Sequence, residues 1–170
     1  MPRAAVSSPP MSQPAPSLSF LFARPAHWLA LGLGAGLSPV APGTFGTLVA
    51  WPIAWGLHAT GSDALYVAAT AALFVLGIGA ADATARDLGV ADHGAIVIDE
   101  VVAFLCVLFF VDRAPLWQLL AFVLFRAFDI VKPPPIRAVD ARMKGGLGVM
   151  LDDLLAAGYT LLGIALVQRL

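Results

Sequence analysis

Apolar residues fall into five long runs, at about 47–60, 64–81, 95–111, 116–131 and 154–168. Each is near or below the ~20 residues a helix needs to cross the hydrocarbon core of a bilayer. The pattern predicts five apolar helices, some of them tilted, re-entrant or extended by flanking residues. A further apolar stretch, 27–37, carries Gly32, Gly34 and Gly36 and leads into Pro39. It predicts a short interfacial or re-entrant segment. The connections alternate in kind: 61–63 and 112–115 are very short, whereas 82–94 and 132–153 are longer and polar. Antiparallel neighbours alternate in this way. The expected fold is therefore all-α, a polytopic membrane bundle of about four to five apolar helices. Residues 1–24 form a Pro/Ser-rich tail expected to be disordered. Residues 25–170 form one membrane-embedded domain. The tail lacks the long apolar core of a signal peptide, so the chain is expected to insert through its own spans.

Composition sharpens this picture. The 170 residues are 59% hydrophobic and 12% charged, against about 25% charged in a soluble domain. Too little polar surface is available to coat a water-soluble globule. A net charge of −1 offers no basic field for nucleic acid. The lone Cys106 excludes an internal disulfide and a cysteine metal cage. Basic residues are asymmetric. Arg3, Arg24, Arg86, Lys132, Arg137, Arg142 and Lys144 lie on the side of the tail and long loops, and only Arg113 and Arg169 lie opposite. The positive-inside rule places the tail and long loops in the cytoplasm. Polar segments 38–47, 82–100, 126–137 and 144–153 then meet at the cytoplasmic ends of the helices, at headgroup level.

In the first of these, Ser38 to Thr47, two prolines and two glycines argue against a regular helix. Ser38, Thr44 and Thr47 bring hydroxyls, and Thr44 is placed to cap the helix that follows. The second holds Asp99 and Glu100 inside an apolar run. An ionised carboxylate there loses several kcal/mol of hydration unless it is partnered. The pair lies about 100° apart on a helix, so one ion near their shared edge reaches both. Asp92, seven residues earlier, falls on the same face if the helix starts that early. His93 has three open roles: metal ligand, phosphate donor or turn cap. In the third, Arg126, Asp129 and Lys132 sit at spacings of three, which permits pairing across a turn. Three prolines then end the helix. The fourth, Lys144 to Asp153, joins a glycine loop to the acidic pair Asp152 and Asp153.

Intramembrane charges are functional by default. Hard oxygen ligands from Asp99, Glu100, Asp129, Asp152 and Asp153 suit Mg2+, which completes its shell with water and substrate phosphate. Arg126, Lys132, Arg137 and Lys144 would hold the remaining phosphate oxygens. The expected chemistry is metal-assisted phosphoryl transfer or hydrolysis on a lipid phosphate, with Asp99, Glu100, Asp129, Lys132 and Asp152 catalytic. Ser38, Thr44, His93, Arg126 and Lys132 are expected on the phosphate. A covalent aspartyl-phosphate route stays open. The alternative is a cation-coupled transporter using the same carboxylates, and a third reading is a non-catalytic membrane scaffold.

The motifs GLSPVAPGTFGT, DHGAIVIDE, FRAFDIVKPPPIR and GGLGVMLDD, in this order, closely resemble the bacterial phosphatidylglycerophosphatase A family over about residues 27–168. The resemblance implies a Mg2+-dependent, multi-pass inner-membrane enzyme with its site facing the cytoplasm. It would convert phosphatidylglycerophosphate to phosphatidylglycerol and phosphate in phospholipid biosynthesis. Two positions depart from the family pattern: Lys144 stands where a histidine is frequent, and Ala103 where a glycine is frequent. The nucleophile motifs of haloacid-dehalogenase and type-2 phosphatidic acid phosphatases are absent. Asp82-Ala-Thr-Ala-Arg86 only faintly echoes the CDP-alcohol phosphotransferases.

Overall fold

A computed structural model describes residues 15–90 and 93–169. The described chain is helical throughout: α1 (Leu18–Ala23), α2 (Pro25–Ala30), a 3-10 segment (Gly32–Leu37), α3 (Pro42–Ala59), α4 (Asp63–Leu88), α5 (Ile98–Phe110), α6 (Pro115–Val131), α7 (Ile136–Arg142) and α8 (Gly146–Val167). Helix α5 is the hub. It packs against α3, α4, α6 and α8, and Val101 to Leu105, Val107 and Leu108 are buried. A helix apolar on every side is stable only when other helices surround it. Phe104 and Phe125, both fully buried, sit between α5 and α6 with ring centroids 5.5 Å apart.

Local chemistry explains the boundaries. Pro42 and Pro115 occupy first-turn positions, where the missing N–H costs nothing. The Ser62 hydroxyl accepts from the Leu65 amide and starts α4. Gly89, at φ +71°, ends it, a left-handed position that favours glycine.

The expected runs are all present as helices, but three elements begin or end elsewhere. Helix α4 continues to Leu88, so Asp82 and Arg86 lie on a helix rather than in a loop. Helix α8 starts at Gly146, so most of the fourth motif is helical. The first motif is likewise helical from Pro42 onward, because Pro42 falls in the first turn, where its missing N–H costs nothing. Residues 1–14 of the expected tail lie outside the described residues. Its remainder is ordered by helix α1, with Leu21 buried and Arg24 paired to Asp87 at 3.0 Å.

The expectation of four to five membrane spans is not reached. Among the described residues, only α4 and α8 are long and apolar enough to cross a membrane. Helix α5 has 13 residues, about 20 Å at 1.5 Å per residue, short of the ~30 Å hydrocarbon core. Large apolar side chains nevertheless stand exposed on several helices, including Trp55, Val75, Leu76, Leu119, Val123 and Leu162.

Three helices, α3, α5 and α8, begin at the same end of the bundle, and α4 and α6 finish there. The polar motifs meet at that end, as the topology predicted.

Candidate active site

Asp99 and Glu100 occupy the first turn of α5. The approach to that turn is held by backbone. The Val97 amide donates to the Ala30 carbonyl at 2.8 Å, and Gly36 lies so close to the Ala95 carbonyl that a Cβ would collide with it. The segment 27–37 is therefore a shelf under the acidic turn.

Arg126 joins three helices. Its Nη1 stands 2.6 Å from Asp129 Oδ2 on its own helix, as the spacing predicted, and 3.6 Å from Glu100 Oε1 on α5. It also donates to Thr47 Oγ1 at 3.5 Å, and Thr47 in turn donates to the Gly43 carbonyl at 2.9 Å. Gly43, at the start of α3, has no room for a Cβ, because Glu100 Oε1 takes that space and Arg126 Nη2 lies beside it.

Lys132 caps the end of α6 in the left-handed region, at φ +47°. A non-glycine residue there costs about 1 kcal/mol or more. The conformation turns its ammonium to Asp152 on α8, an ion pair, and to Asp140 on α7 at 3.3 Å. The expected Asp129–Lys132 pairing is thus replaced: Asp129 goes to Arg126 and Lys132 to Asp152. Burial pulls the Lys132 pKa down, but the hydrogen bond and charge of Asp152, then those of Asp140, outweigh it and raise it.

These elements enclose a cavity of about 140 Å³, lined by six carboxylates (Asp99, Glu100, Asp129, Asp140, Asp152 and Asp153) and by Lys132 and Lys144. Its charge is not balanced from within. One oxygen from each of Asp99, Glu100 and Asp153 lies within 4.8 Å of the other two. Asp99 Oδ1, Glu100 Oε2, Asp152 Oδ1 and Asp153 Oδ2 are buried without a hydrogen-bond partner. Uncompensated buried carboxylates cost several kcal/mol each. The donor set therefore fits a hard divalent cation, with Asp99, Glu100 and Asp153 as the ligand group. Asp129 and Asp152, also expected on the ion, line the same cavity; Asp129 is paired to Arg126 and Asp152 Oδ2 to Lys132, while Asp152 Oδ1 stays free.

Other expected residues fall differently. The Ala95 amide donates to His93 Nδ1 at 3.1 Å, so that nitrogen is an acceptor and closes the turn before α5. A neutral His93 then carries its proton on Nε2, which is buried and unpartnered. Its capping role is realised, Nδ1 is taken, and Nε2 is left as a donor. Ser38 is not brought to the cavity. Its hydroxyl bonds Val40 within its own turn, and it lines a separate apolar groove with Phe45 and Leu48. Thr44 does not cap α3; Ala41 holds that position, without a side-chain bond. Thr44 also lies outside the cavity lining. Arg137 is exposed and bonds the Val131 carbonyl at 3.4 Å. Lys144 lines the cavity and donates to the Asp140 carbonyl. Asp92 lies outside the described residues. Ala103 is buried within α5.

Sequence reasoning missed Asp140, Gly43 and Asp82, whose carboxylate accepts from the Gly146 amide at 2.6 Å. Asp140 and Asp82 lie in stretches read as loop, where isolated acids are ordinary. Gly43 stood in plain view, but only the packing shows what its missing Cβ leaves room for.

A transport path, which the alternative reading requires, finds no support. Among the described residues the acids stay at one end of α5, and below them Val102, Phe104, Leu105 and Leu108 fill the bundle.

Comparison with known proteins points one way. The family model for phosphatidylglycerophosphatase A matches residues 28–168. A phosphatidylglycerophosphatase A from Haemophilus influenzae is 41% identical over 146 residues, covering 85% of this chain and 90% of the relative. One from Escherichia coli is 42% identical over 135 residues, covering 78% and 77%. A Bacteroides thetaiotaomicron protein, provisionally named a phosphatidylinositol-3-phosphatase, is 41% identical over 144 residues, covering 81% and 89%. No solved structure matches the chain.

Proposed function

The chain belongs to the phosphatidylglycerophosphatase A family and is a phosphoric monoester hydrolase, and from that premise we propose that it hydrolyses phosphatidylglycerophosphate to phosphatidylglycerol and phosphate, with Mg2+ in the carboxylate cavity. The observation that carries this reading is the charge imbalance of that cavity: six carboxylates, several with buried free oxygens, face three cations, Lys132 and Lys144 in the lining and Arg126 behind Asp129 and Glu100. A phosphate monoester would only worsen the imbalance, so anion binding here requires a cation as well.

Asp99, Glu100 and Asp153 would hold the ion. When bound, Mg2+ supplies Lewis-acid neutralisation of the phosphate oxygens and acidifies water. The remaining steps belong to side chains. Lys132 faces the cavity from its left-handed cap and offsets negative charge as it develops on the phosphoryl oxygens. Arg126 holds Asp129 and Glu100 in place through its ion pairs. Asp152, held through Oδ2 by Lys132 with Oδ1 free, is positioned to take a proton from the attacking water. As the water oxygen bonds to phosphorus, the P–O bond to the lipid glycerol breaks; the leaving oxygen takes a proton from solvent, and Asp152 returns its own to solvent.

The membrane setting follows from the surface. Helices α4 and α8 cross the bilayer, and the exposed apolar side chains of α3, α6 and α8 face lipid tails. The basic bias supports a cavity end at the cytoplasmic headgroups of a bacterial inner membrane, where a lipid phosphate would reach it.

The test is phosphate release by purified protein in detergent, from phosphatidylglycerophosphate and from phosphatidylinositol 3-phosphate, each with and without EDTA. The reading expects metal-dependent turnover with preference for the first lipid. Preference for the second, or turnover in EDTA, overturns it.

A further inference from the structure

The fourth motif presents a mechanical problem. Asp152 and Asp153 lie six and seven residues beyond Gly146, so about 9–10 Å along α8 from its first residue. Their usefulness depends on how α8 is seated against α5, and α8 enters from a loop. Its N-cap, Gly145, has φ +85° and offers no side chain to cap the helix. The free amides at its start need an acceptor from elsewhere.

That acceptor is Asp82. Its Oδ1 receives the Gly146 amide at 2.6 Å. The contact joins helix to helix at backbone range: a Cβ on Gly146 would overlap the Ile78 carbonyl, and one on Gly145 would sit 3.0 Å from Asp82 Oδ1. One turn further along, the Met150 side chain lies on Gly77 of α4. Two contacts at successive turns thus set both the height and the rotation of α8 against α4. Asp82 has no ion-pair partner among the described residues, and it does not line the cavity. A partly buried carboxylate committed to one backbone amide at a helix start also matches the positive end of the helix dipole.

We infer that Asp82 is a positioning residue: it caps α8 from a neighbouring helix and so fixes Asp153 within reach of Asp99 and Glu100. This rests on the proposed metal-dependent hydrolysis but concerns a residue outside the cavity. An error of about 1 Å in the placement of reacting groups costs on the order of 100-fold in rate.

The experiment compares Asp82→Ala with Asp82→Asn, each purified in the same detergent as wild type, with two readouts. The first is kcat and KM at saturating Mg2+. The second is Mn2+ affinity by electron paramagnetic resonance, which needs no turnover. For Asp82→Ala the expected result is a kcat lower by about 10- to 100-fold, KM within about twofold, and weaker Mn2+ binding. Asparagine caps a helix about as well as aspartate, so Asp82→Asn restores both readouts. Wild-type behaviour of Asp82→Ala overturns the inference. So does failure of Asp82→Asn to rescue, which would show that the charge, not the cap, is required. If Asp82→Ala does not fold, the Asp82→Asn result decides alone. Absence of Mn2+ binding or turnover in wild type counts against the proposed function instead.

Discussion

Glu100 fills the space where a side chain at Gly43 would begin. The first motif therefore contributes a void rather than a functional group. Gly43→Ala must displace the Glu100 carboxylate, the Arg126 guanidinium, or both. Overpacking of this kind costs about 1–3 kcal/mol, while misplacing the acid costs on the order of 100-fold in kcat. Circular dichroism should show the helices retained while activity falls. Full activity in Gly43→Ala would mean that Glu100 is free to move and its observed position unimportant.

Asp153 is expected to matter through metal affinity. Asp153→Asn removes the charge of one of three clustered carboxylates and should weaken Mn2+ binding by at least about 10-fold. Chelation should abolish wild-type turnover, and added Mg2+ should restore it. An unchanged binding isotherm for Asp153→Asn would remove Asp153 from the ligand group.

Arg126 is the counter-ion most exposed to a mutational test. Its partners Asp129 and Glu100 are mostly buried, with side chains 12% exposed. Removing one partner of such a cluster costs about 3–5 kcal/mol, since the charge left behind stays buried. Arg126→Met should lower the thermal midpoint sharply, and Arg126→Met combined with Asp129→Leu should recover part of the loss. If the double variant is no more stable than the single one, the pair is not the source of the effect.

Lys132→Met should reduce kcat by about 100-fold, the scale of losing one charge-stabilising donor. Its pH behaviour is also fixed. The folded pKa is raised above the ordinary 10.5, so its ion pairs contribute fully below that value and fade only as pH rises through the higher folded one. The difference in thermal midpoint between wild type and Lys132→Met should hold constant from about pH 6 to pH 9. A difference that shrinks over that interval would contradict the assignment of the ammonium to Asp152 and Asp140.

Ser38 provides the contrasting case. Its hydroxyl is consumed by its own turn, and a substitution away from packed or charged features changes free energy by about 0.5 kcal/mol at most. Ser38→Ala should keep activity within about twofold. A large loss would return Ser38 to the phosphate site.

Much of this site was legible because buried charge is costly enough to be conspicuous. Asp99 and Glu100 in an apolar run, and Arg126 three residues before Asp129, announce themselves by residue type alone. Their convergence followed from loop lengths and the basic bias. What could not be read was partner choice. Lys132 prefers Asp152 over Asp129 because its left-handed backbone swings the side chain off its own helix, and no spacing rule foresees that. Asp82 and Asp140 looked like loop acids until α4 proved longer than its apolar run and α7 appeared after the prolines. Fewer helices than expected are long enough to span, for a related reason. Hydropathy measures how apolar a segment is, and α5 is apolar because other helices surround it.

The order of these helices along the chain bears on biogenesis. Asp153 arrives on α8, the last of the described helices, whereas Asp99 and Glu100 arrive on the central one. During synthesis the acids of α5 are made before the residues that would complete the proposed cation site. Until α8 docks on α4, the nascent protein holds a pair of carboxylates with no third ligand and cannot retain a metal tightly. In the proposed mechanism catalytic competence therefore waits on the docking of α8, and a chain stalled before Gly146 would lack Asp152 and Asp153 and leave the acids of α5 without that third ligand.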